Sequence, residues 1–193
     1  MATTEHPRPD GTVRLAQLAD AEAIARVQAA ALSVSYRELL PAAAVAHFDE
    51  AAARVAWTTA ISAPPTNRHR VFVALSTSDV VGFAATAPGS DADLDPESDA
   101  EILALHVDPA ALRQGHGSRL MHALADHARD DGFARLVMWV FAADDALRGF
   151  LNASGWAPDG STRDLDTGEL AHQVRLHTSI AAVDIDPGGG LIA

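Results

Sequence analysis

The sequence contains no cysteine among its 193 residues. Disulfides, zinc sites built on thiolates and a cysteine that would carry an acyl group covalently are therefore excluded. The nine histidines show no spacing typical of metal ligands, and His122 and His127, five positions apart, do not share a helical face. We therefore expect no metal cofactor.

Basic residues are scarce as well. Lysine and arginine together number 14 against 26 acidic residues, which gives a formal net charge of −12 at pH 7. This balance disfavours general nucleic-acid binding, because phosphate contacts need clustered Lys and Arg side chains. Such acidity is typical of a soluble protein, and a second interpretation is that it attracts a cationic substrate.

Long apolar segments are also missing. No apolar run approaches the roughly 20 residues that are needed to span a bilayer. The N-terminal sequence MATTEHPRPDG is polar and carries two prolines, so we expect neither a signal peptide nor a membrane anchor. A cytoplasmic protein without membrane or nucleic-acid partners is the resulting expectation.

The composition that remains suits one globular domain with a sizeable core, because 48% of the residues are hydrophobic and 21% are charged. We predict an N-terminal extension over residues 1–11 and a single domain over residues 12–178. Residues 179–193, which end in DPGGGLIA, are predicted to be an appended tail.

Hydrophobic periodicity predicts an alternating order of strands and helices. The predicted strands are Thr12–Gln17, Arg70–Leu75, Val80–Ala87, Ala100–Val107, Ala134–Phe141, one near Arg163, and Leu170–His177. The predicted helices are one with Asp20 as its N-cap, one or two within Pro41–Ile61, Gly117–Arg129, and Asp144–Ala153. A hairpin that precedes two strand–helix units indicates an α/β fold with a mixed sheet, partly antiparallel and partly parallel.

The most informative segment is LHVDPAALRQGHGSRLM, in which a strand leads into a turn with Gly115 and Gly117 and then into an amphipathic helix. Glycines in such a turn let the backbone approach a ligand and direct N–H groups outward. The helix N-terminus stabilises an anion such as pyrophosphate by up to ~2 kcal/mol. Arg113 and Arg119 could add charge-assisted contacts. The alternative is a strand-to-helix turn that binds nothing.

Two other phosphate-binding motifs do not fit. A dinucleotide fingerprint needs a third glycine where Leu120 stands, and a nucleotide-triphosphate loop needs Gly-Lys followed by Ser or Thr, which the chain lacks.

The segment instead resembles the GNAT superfamily of acyl-CoA N-acyltransferases, whose signature is a strand, V-x-P, and R/Q-x-x-G-x-G/A at the start of a helix. SYRELLP (Ser35–Pro41), ARVAW (Ala53–Trp57) and MWVFAADDALRGFLNASGW (Met138–Trp156) resemble further blocks of one bacterial branch, so roughly Thr12–His177 is covered.

This resemblance implies the GNAT fold, in which a mixed sheet flanked by helices has antiparallel N-terminal strands and a parallel pair around the coenzyme A site. It also implies transfer of an acetyl group from acetyl-CoA to a primary amine of a small molecule or peptide. Relatives commonly form homodimers, so that state is an option for this chain. The residues expected at the cofactor are Leu105, His106 and Val107 on the strand, Arg113, Gln114, Gly115, His116, Gly117 and Ser118 in the turn, and Phe150 on the last helix.

The sequence departs from the family pattern at three positions. Leu112 stands where the family has Arg or Gln, so one side-chain contact is lost while the backbone of the turn is unaffected. Asp144 replaces an Asn and could repel the cofactor. Leu151 replaces the Tyr that often serves as general acid. These departures motivate an alternative function, a degenerate domain that binds acyl-CoA as a sensor or regulatory subunit.

Acid–base chemistry is needed because an amine of pKa ~10.4 is protonated at pH 7, and its reactive neutral form lies about 4.6 kcal/mol higher in free energy. Glu101 is the first candidate base, since many relatives place a carboxylate there, and a solvated edge glutamate is the alternative. Asp99 and His106 are the next candidates. Tyr36, the only tyrosine, is the candidate acid, with packing at the acceptor pocket as its alternative.

The stretch Asp91–Asp99 is rich in aspartate and lacks periodicity. A solvated loop is the first interpretation of such a run. A lid that screens for cationic acceptors is the second.

Overall fold

The computed structural model describes residues 11–166 and 170–181 of the chain. The predicted N-terminal extension, except Gly11, and the predicted tail beyond residue 181 lie outside the described residues. The strands are β1 (Gly11–Leu15), β2 (Arg70–Ser76), β3 (Asp79–Pro88), β4 (Asp99–Val107), β5 (Arg135–Phe141), β6 (Ala157–Asp166) and β7 (Leu170–Ser179). The α-helices are α1 (Ala21–Val34), α2 (Ala42–Ala46), α3 (Glu50–Ser62), α4 (His116–Asp130) and α5 (Asp145–Ala153).

The strands form one seven-stranded sheet in the order β1-β2-β3-β4-β5-β7-β6. Strands β1 to β4 are antiparallel, β4 and β5 are parallel, and β7 pairs antiparallel with both β5 and β6. The predicted mixed sheet is confirmed. The parallel pair is joined by α4, as expected for a strand–helix–strand unit.

The parallel pair is short, and this brevity creates the site. Only Asp99–Glu101 of β4 pairs with Arg135–Val137 of β5. Beyond Glu101 the register of β4 with β3 shifts, because Leu103 is an extra residue between the partners of Ala85 and Thr86. A bulge bends its strand and increases the local twist. The two parallel strands therefore separate after Glu101.

A hydrophobic cluster lies on each face of the sheet. The cluster under α4 and α5 includes the fully buried Leu120, Leu124 and Leu151. The cluster under α1 and α3 includes Ile24 and Phe83. Complete burial of one such side chain contributes about 1.5–3 kcal/mol to folding, so both helical layers are firmly attached to the sheet.

The helix ends show one correction. Asp20 precedes α1 as expected for an N-cap, yet its side chain makes no capping hydrogen bond. Its carboxylate instead binds the guanidinium of Arg14 at 2.6 and 2.9 Å and accepts from the N–H of Gln17 at 2.7 Å. The carboxylates of Asp49 and Asp144 do cap α3 and α5. Within the described part of the chain, no helix combines the length and apolar character that a membrane crossing requires.

Candidate active site

The turn before α4 has an unusual backbone. Arg113 has φ +63° and Gly115 has φ +82°, so two residues of the turn adopt the left-handed conformation. This conformation costs a non-glycine residue roughly 1–2 kcal/mol. The first N–H groups of a helix lack carbonyl partners within it. In α4 the N–H of Arg119 donates to the carbonyl of Gly115 at 3.1 Å. The turn and the start of α4 thus form an anion-binding backbone.

A cavity of about 510 Å³ opens beside this turn, where β4 and β5 separate. Its walls come from the C-terminal end of α1, the end of β4, the turn before α4, and α5. Of the residues predicted at the cofactor, the cavity is lined by Leu105, His106, Val107, Arg113, Gly115, His116, Gly117, Ser118 and Phe150. Gln114 is the exception, and its side chain donates to the carbonyl of Ala110 at 3.4 Å.

Part of the cavity wall was not predicted from the sequence. The unpredicted residues are Ala31 and Ser35 at the end of α1, Ala111 before the turn, and Ala146 and Leu147 on α5. Leu112 and Asp144, two of the departures from the family pattern, also line the cavity. Leu147 could have been found, because it lies three positions before Phe150 and so shares its helical face. The end of α1 carries no comparable local signal.

Arg119 does not line the cavity, which corrects the expectation that it would contact a bound anion. One of its Nη2 hydrogens is donated to the carbonyl of Gln114 at 3.0 Å, and Nη2 lies 3.2 Å from Nδ1 of His116. The guanidinium lies between the turn and the start of β1 and is not part of the cavity wall. Arg113 is the arginine that lines it.

The departures from the family pattern have structural explanations. Leu112 is exposed at the cavity. The carboxylate of Asp144 accepts from the N–H of Leu147 at 2.9 Å, so it serves as the cap of α5. Leu151 is 0% exposed and belongs to the core under α4. A proton donor is therefore missing at position 151.

Tyr36 lies at the cavity between the two separating strands. Its ring centroid is 5.5 Å from that of His106 and 5.8 Å from that of Phe141. Burial, together with the nearby carboxylate of Asp144, raises the pKa of Tyr36 to about 12. The phenol is consequently neutral and a weak acid.

His106 lines the same cavity and faces the rings of Tyr36 and Phe83. Burial among these groups lowers the pKa of His106 to about 4, so its imidazole is neutral near pH 7. Its weak basicity makes His106 a poor proton acceptor for an ammonium group.

Glu101 is the last residue of β4 that pairs with β5. Its neighbours Ala100 and Ile102 belong to the core under α4. Because side chains alternate between the two faces of a strand, the Glu101 side chain lies on the opposite face of the sheet. Tyr36 contacts His106 on that same face. The carboxylate is buried, at 7% exposure of the residue, and accepts from the Ser90 hydroxyl at 3.1 Å. It stands where the strands part and is not among the residues that line the cavity.

Asp99 is committed to an ion pair. Its carboxylate accepts from Nε and Nη2 of Arg135 at 2.7 and 2.6 Å. These hydrogen bonds lower the pKa of Asp99 below its usual value. The pairing with Arg135 makes Asp99 a structural anion and removes it from the candidate bases.

The acidic β3–β4 loop is tied to the sheet. Trp139 of β5 donates its indole N–H to Asp91 at 2.9 Å. Arg175 of β7, 2% exposed, donates to Asp91 and Asp93, and to Asp159 of β6. The pKa of Arg175 is raised by these partners. The two interpretations from sequence, a solvated loop or a screening lid, both overlooked this anchoring.

This arrangement combines an anion-binding helix N-terminus with a largely apolar wall and a buried carboxylate nearby. Such a site can hold an elongated ligand that has a polyanionic part and an apolar part. Within residues 11–166 and 170–181, no group of His, Asp and Glu side chains is placed to hold a metal ion.

Comparisons with known proteins agree with this geometry. The model of the acetyltransferase (GNAT) family matches residues 33–156, and no curated protein matches the chain. PaiA N-acetyltransferase from Thermoplasma acidophilum, in complex with coenzyme A, superposes with a TM-score of 0.73 at 13% identity, covering 88% of this chain and 98% of that one. YncA from Salmonella typhimurium with acetyl-CoA gives a TM-score of 0.69 at 20% identity, covering 91% and 96%.

The ribosomal-protein-S18-alanine N-acetyltransferase from Escherichia coli gives a TM-score of 0.64 at 18% identity, covering 91% of this chain and 97% of that one. At such identities the solved structures show a shared fold. The family match spans residues 33–156, well over half of the 193 residues, and includes the turn, α4 and α5. The chain belongs to the acetyltransferase (GNAT) family.

Proposed function

We propose that this chain transfers an acetyl group from acetyl-CoA directly to a primary amine of a small molecule or peptide. The observation that carries the proposal is the cavity where β4 and β5 separate, with the anion-binding turn of Gly115 and Gly117 in its wall. The coenzyme A in the PaiA structure and the acetyl-CoA in the YncA structure support the same ligand here.

The residues of the cavity fit coenzyme A chemically. Backbone N–H groups of Gly115, Gly117 and Ser118 would bind the pyrophosphate, together with the guanidinium of Arg113. Val107 and Phe150 would contact the apolar stretches of the pantetheine arm. Acetyl-CoA supplies an acetyl group that is activated as a thioester.

The chain would contribute orientation and proton removal. Holding both substrates in one site converts a bimolecular encounter into a reaction between aligned groups, which accounts for much of the rate gain in such enzymes. Glu101 would accept the ammonium proton, directly or through water, since Asp99 is bound to Arg135 and His106 is weakly basic. Tyr36 would shape the acceptor side of the cavity.

The test is release of free coenzyme A from acetyl-CoA against a panel of amines, including amino acids, polyamines, aminoglycosides and peptides with free N-termini. Every one of the 14 basic residues is arginine, so acetylation of the enzyme's own lysines cannot produce a background signal. Turnover with at least one amine supports the proposal.

A sensor that binds acyl-CoA without turnover is the second candidate, favoured by the burial of Leu151 where relatives often carry a tyrosine. Tight coenzyme A binding with no thiol release for any amine would support the sensor. Failure to bind coenzyme A would contradict both candidates.

A further inference from the structure

The guanidinium of Arg119 fills the space behind the turn that precedes α4. Its Nη2 donates to the carbonyl of Gln114 at 3.0 Å and lies 3.2 Å from Nδ1 of His116. Arginine can only donate, so Nδ1 is the acceptor and this bond requires a neutral imidazole. The pKa of His116 is indeed lowered, by burial and by the charge of Arg119.

A glycine on another element makes room for this guanidinium. A Cβ atom at Gly11, the first residue of β1, would lie 2.3 Å from Nη2 and 2.6 Å from Cζ of Arg119. Contacts under 3.0 Å are essentially never found for real Cβ atoms. A Cβ at Gly115 would also come within 3.1 Å of Nη1. The arginine is thus packed between β1 and the turn.

We propose that Arg119 is a positioning residue for coenzyme A, and that it orients the peptide between Gln114 and Gly115 from behind while Gly11 leaves the space for it. In a trans peptide the C=O and the following N–H point in opposite directions. Drawing the Gln114 carbonyl toward Arg119 therefore directs the Gly115 N–H to the other side, where Gly115 lines the cavity.

The turn needs such support because glycine leaves its peptide free to rotate. Gly115 has a left-handed φ of +82°, and glycine adopts positive and negative φ values with similar ease. Without an external bond, the peptide between Gln114 and Gly115 would be free to rotate and to turn the N–H away from the ligand. The proposal rests on the proposed function, since it assumes that the turn binds the pyrophosphate of coenzyme A.

Two variants test the proposal by separate routes. Arg119→Gln removes the donor, whereas Gly11→Ala keeps the arginine and displaces its flexible end. Both are expected to weaken coenzyme A binding, Arg119→Gln by at least about tenfold in calorimetry. Neither should change the affinity for pantetheine, the fragment without phosphates, in an NMR titration. The double variant should bind no more weakly than Arg119→Gln, because both changes break one contact.

Arg129→Gln is the matched control, since Arg129 lies in the last turn of the same helix and donates to Asp126 and the Ile180 carbonyl. It should bind coenzyme A as the unaltered protein does. Equal losses for coenzyme A and pantetheine, or additive losses in the double variant, would overturn the proposal and leave Arg119 a general packing residue. Unchanged affinities would overturn it as well. No binding of coenzyme A by the unaltered protein would defeat the proposed function and this inference together.

Discussion

Two titratable side chains at the cavity, those of Tyr36 and His106, are held in their neutral forms. Burial raises the pKa of Tyr36 to about 12 and lowers that of His106 to about 4. A thiol of pKa ~8.5 is a stronger acid than this phenol by about 3.5 units, so proton donation from Tyr36 would be uphill by roughly 4.8 kcal/mol. Coenzyme A would therefore leave as the thiolate, and the difficult proton is the one on the amine.

Glu101→Gln is expected to lower kcat/KM at neutral pH by about 10²-fold or more, the contribution typical of a general base. Glutamine keeps an oxygen that can accept from Ser90, so the fold is retained. The loss should shrink as pH rises and the amine deprotonates unaided. Tyr36→Phe should cost less than about threefold, since the phenol is a weak acid. A fully active Glu101→Gln enzyme across the pH profile would remove Glu101 from this role.

The neutral, buried His106 predicts how the stability of the ligand-free protein depends on pH. Because its folded pKa lies below the unfolded value near 6.5, the unfolded chain binds more protons between these values, and stability falls as pH drops through this window. At pH 5 the loss is roughly 2 kcal/mol. His106→Phe should remove about that much of the difference in unfolding free energy between pH 7 and pH 5, measured by urea titration. An unchanged pH dependence would show that His106 is not buried in neutral form.

Among the elements, β4 determines the site. It places Glu101 at the last pairing with β5, Leu103 in the bulge, and His106 in the cavity. Periodicity predicted β4, the hairpin before it and α4 after it, because these features repeat along the local sequence. It did not predict the ion pair of Asp20 with Arg14 or the packing of Arg119 against Gly11, because in each case the partner lies on another element and the local pattern carries no information about it.

A substitution at Gly117, in the first turn of α4, tests whether the start of this helix binds coenzyme A. A Cβ there meets Phe150 at 3.7 Å and Val107 at 3.9 Å, so a leucine would extend into the cavity. Gly117→Leu is expected to weaken coenzyme A binding by at least about tenfold in calorimetry. Gly149→Leu is the matched control, because nothing lies within 4 Å of its Cβ position and it does not line the cavity. Equal affinities for the two variants would place the ligand elsewhere.

In the whole molecule, contacts between residues that are distant in sequence determine both the order of the strands and the role of the acidic loop. The sequence predicted a mixed sheet, but β7 lies between β5 and β6, and the linear order of strands does not specify such an insertion. The net charge of −12 indicated solubility or steering of a cation, whereas Asp91 and Asp93 in the acidic loop anchor it to Arg175. Neutralising them would leave a buried arginine with fewer partners, which is destabilising.

In the proposed reaction the amine attacks acetyl-CoA directly within one site. The sequence lacks cysteine, so a thioester-linked enzyme cannot form. The most direct test is the initial rate of thiol release at varied concentrations of acetyl-CoA and of an active amine. Direct transfer in a ternary complex predicts double-reciprocal lines that intersect. Parallel lines would show that an acetylated enzyme forms before the amine reacts, and would contradict direct transfer.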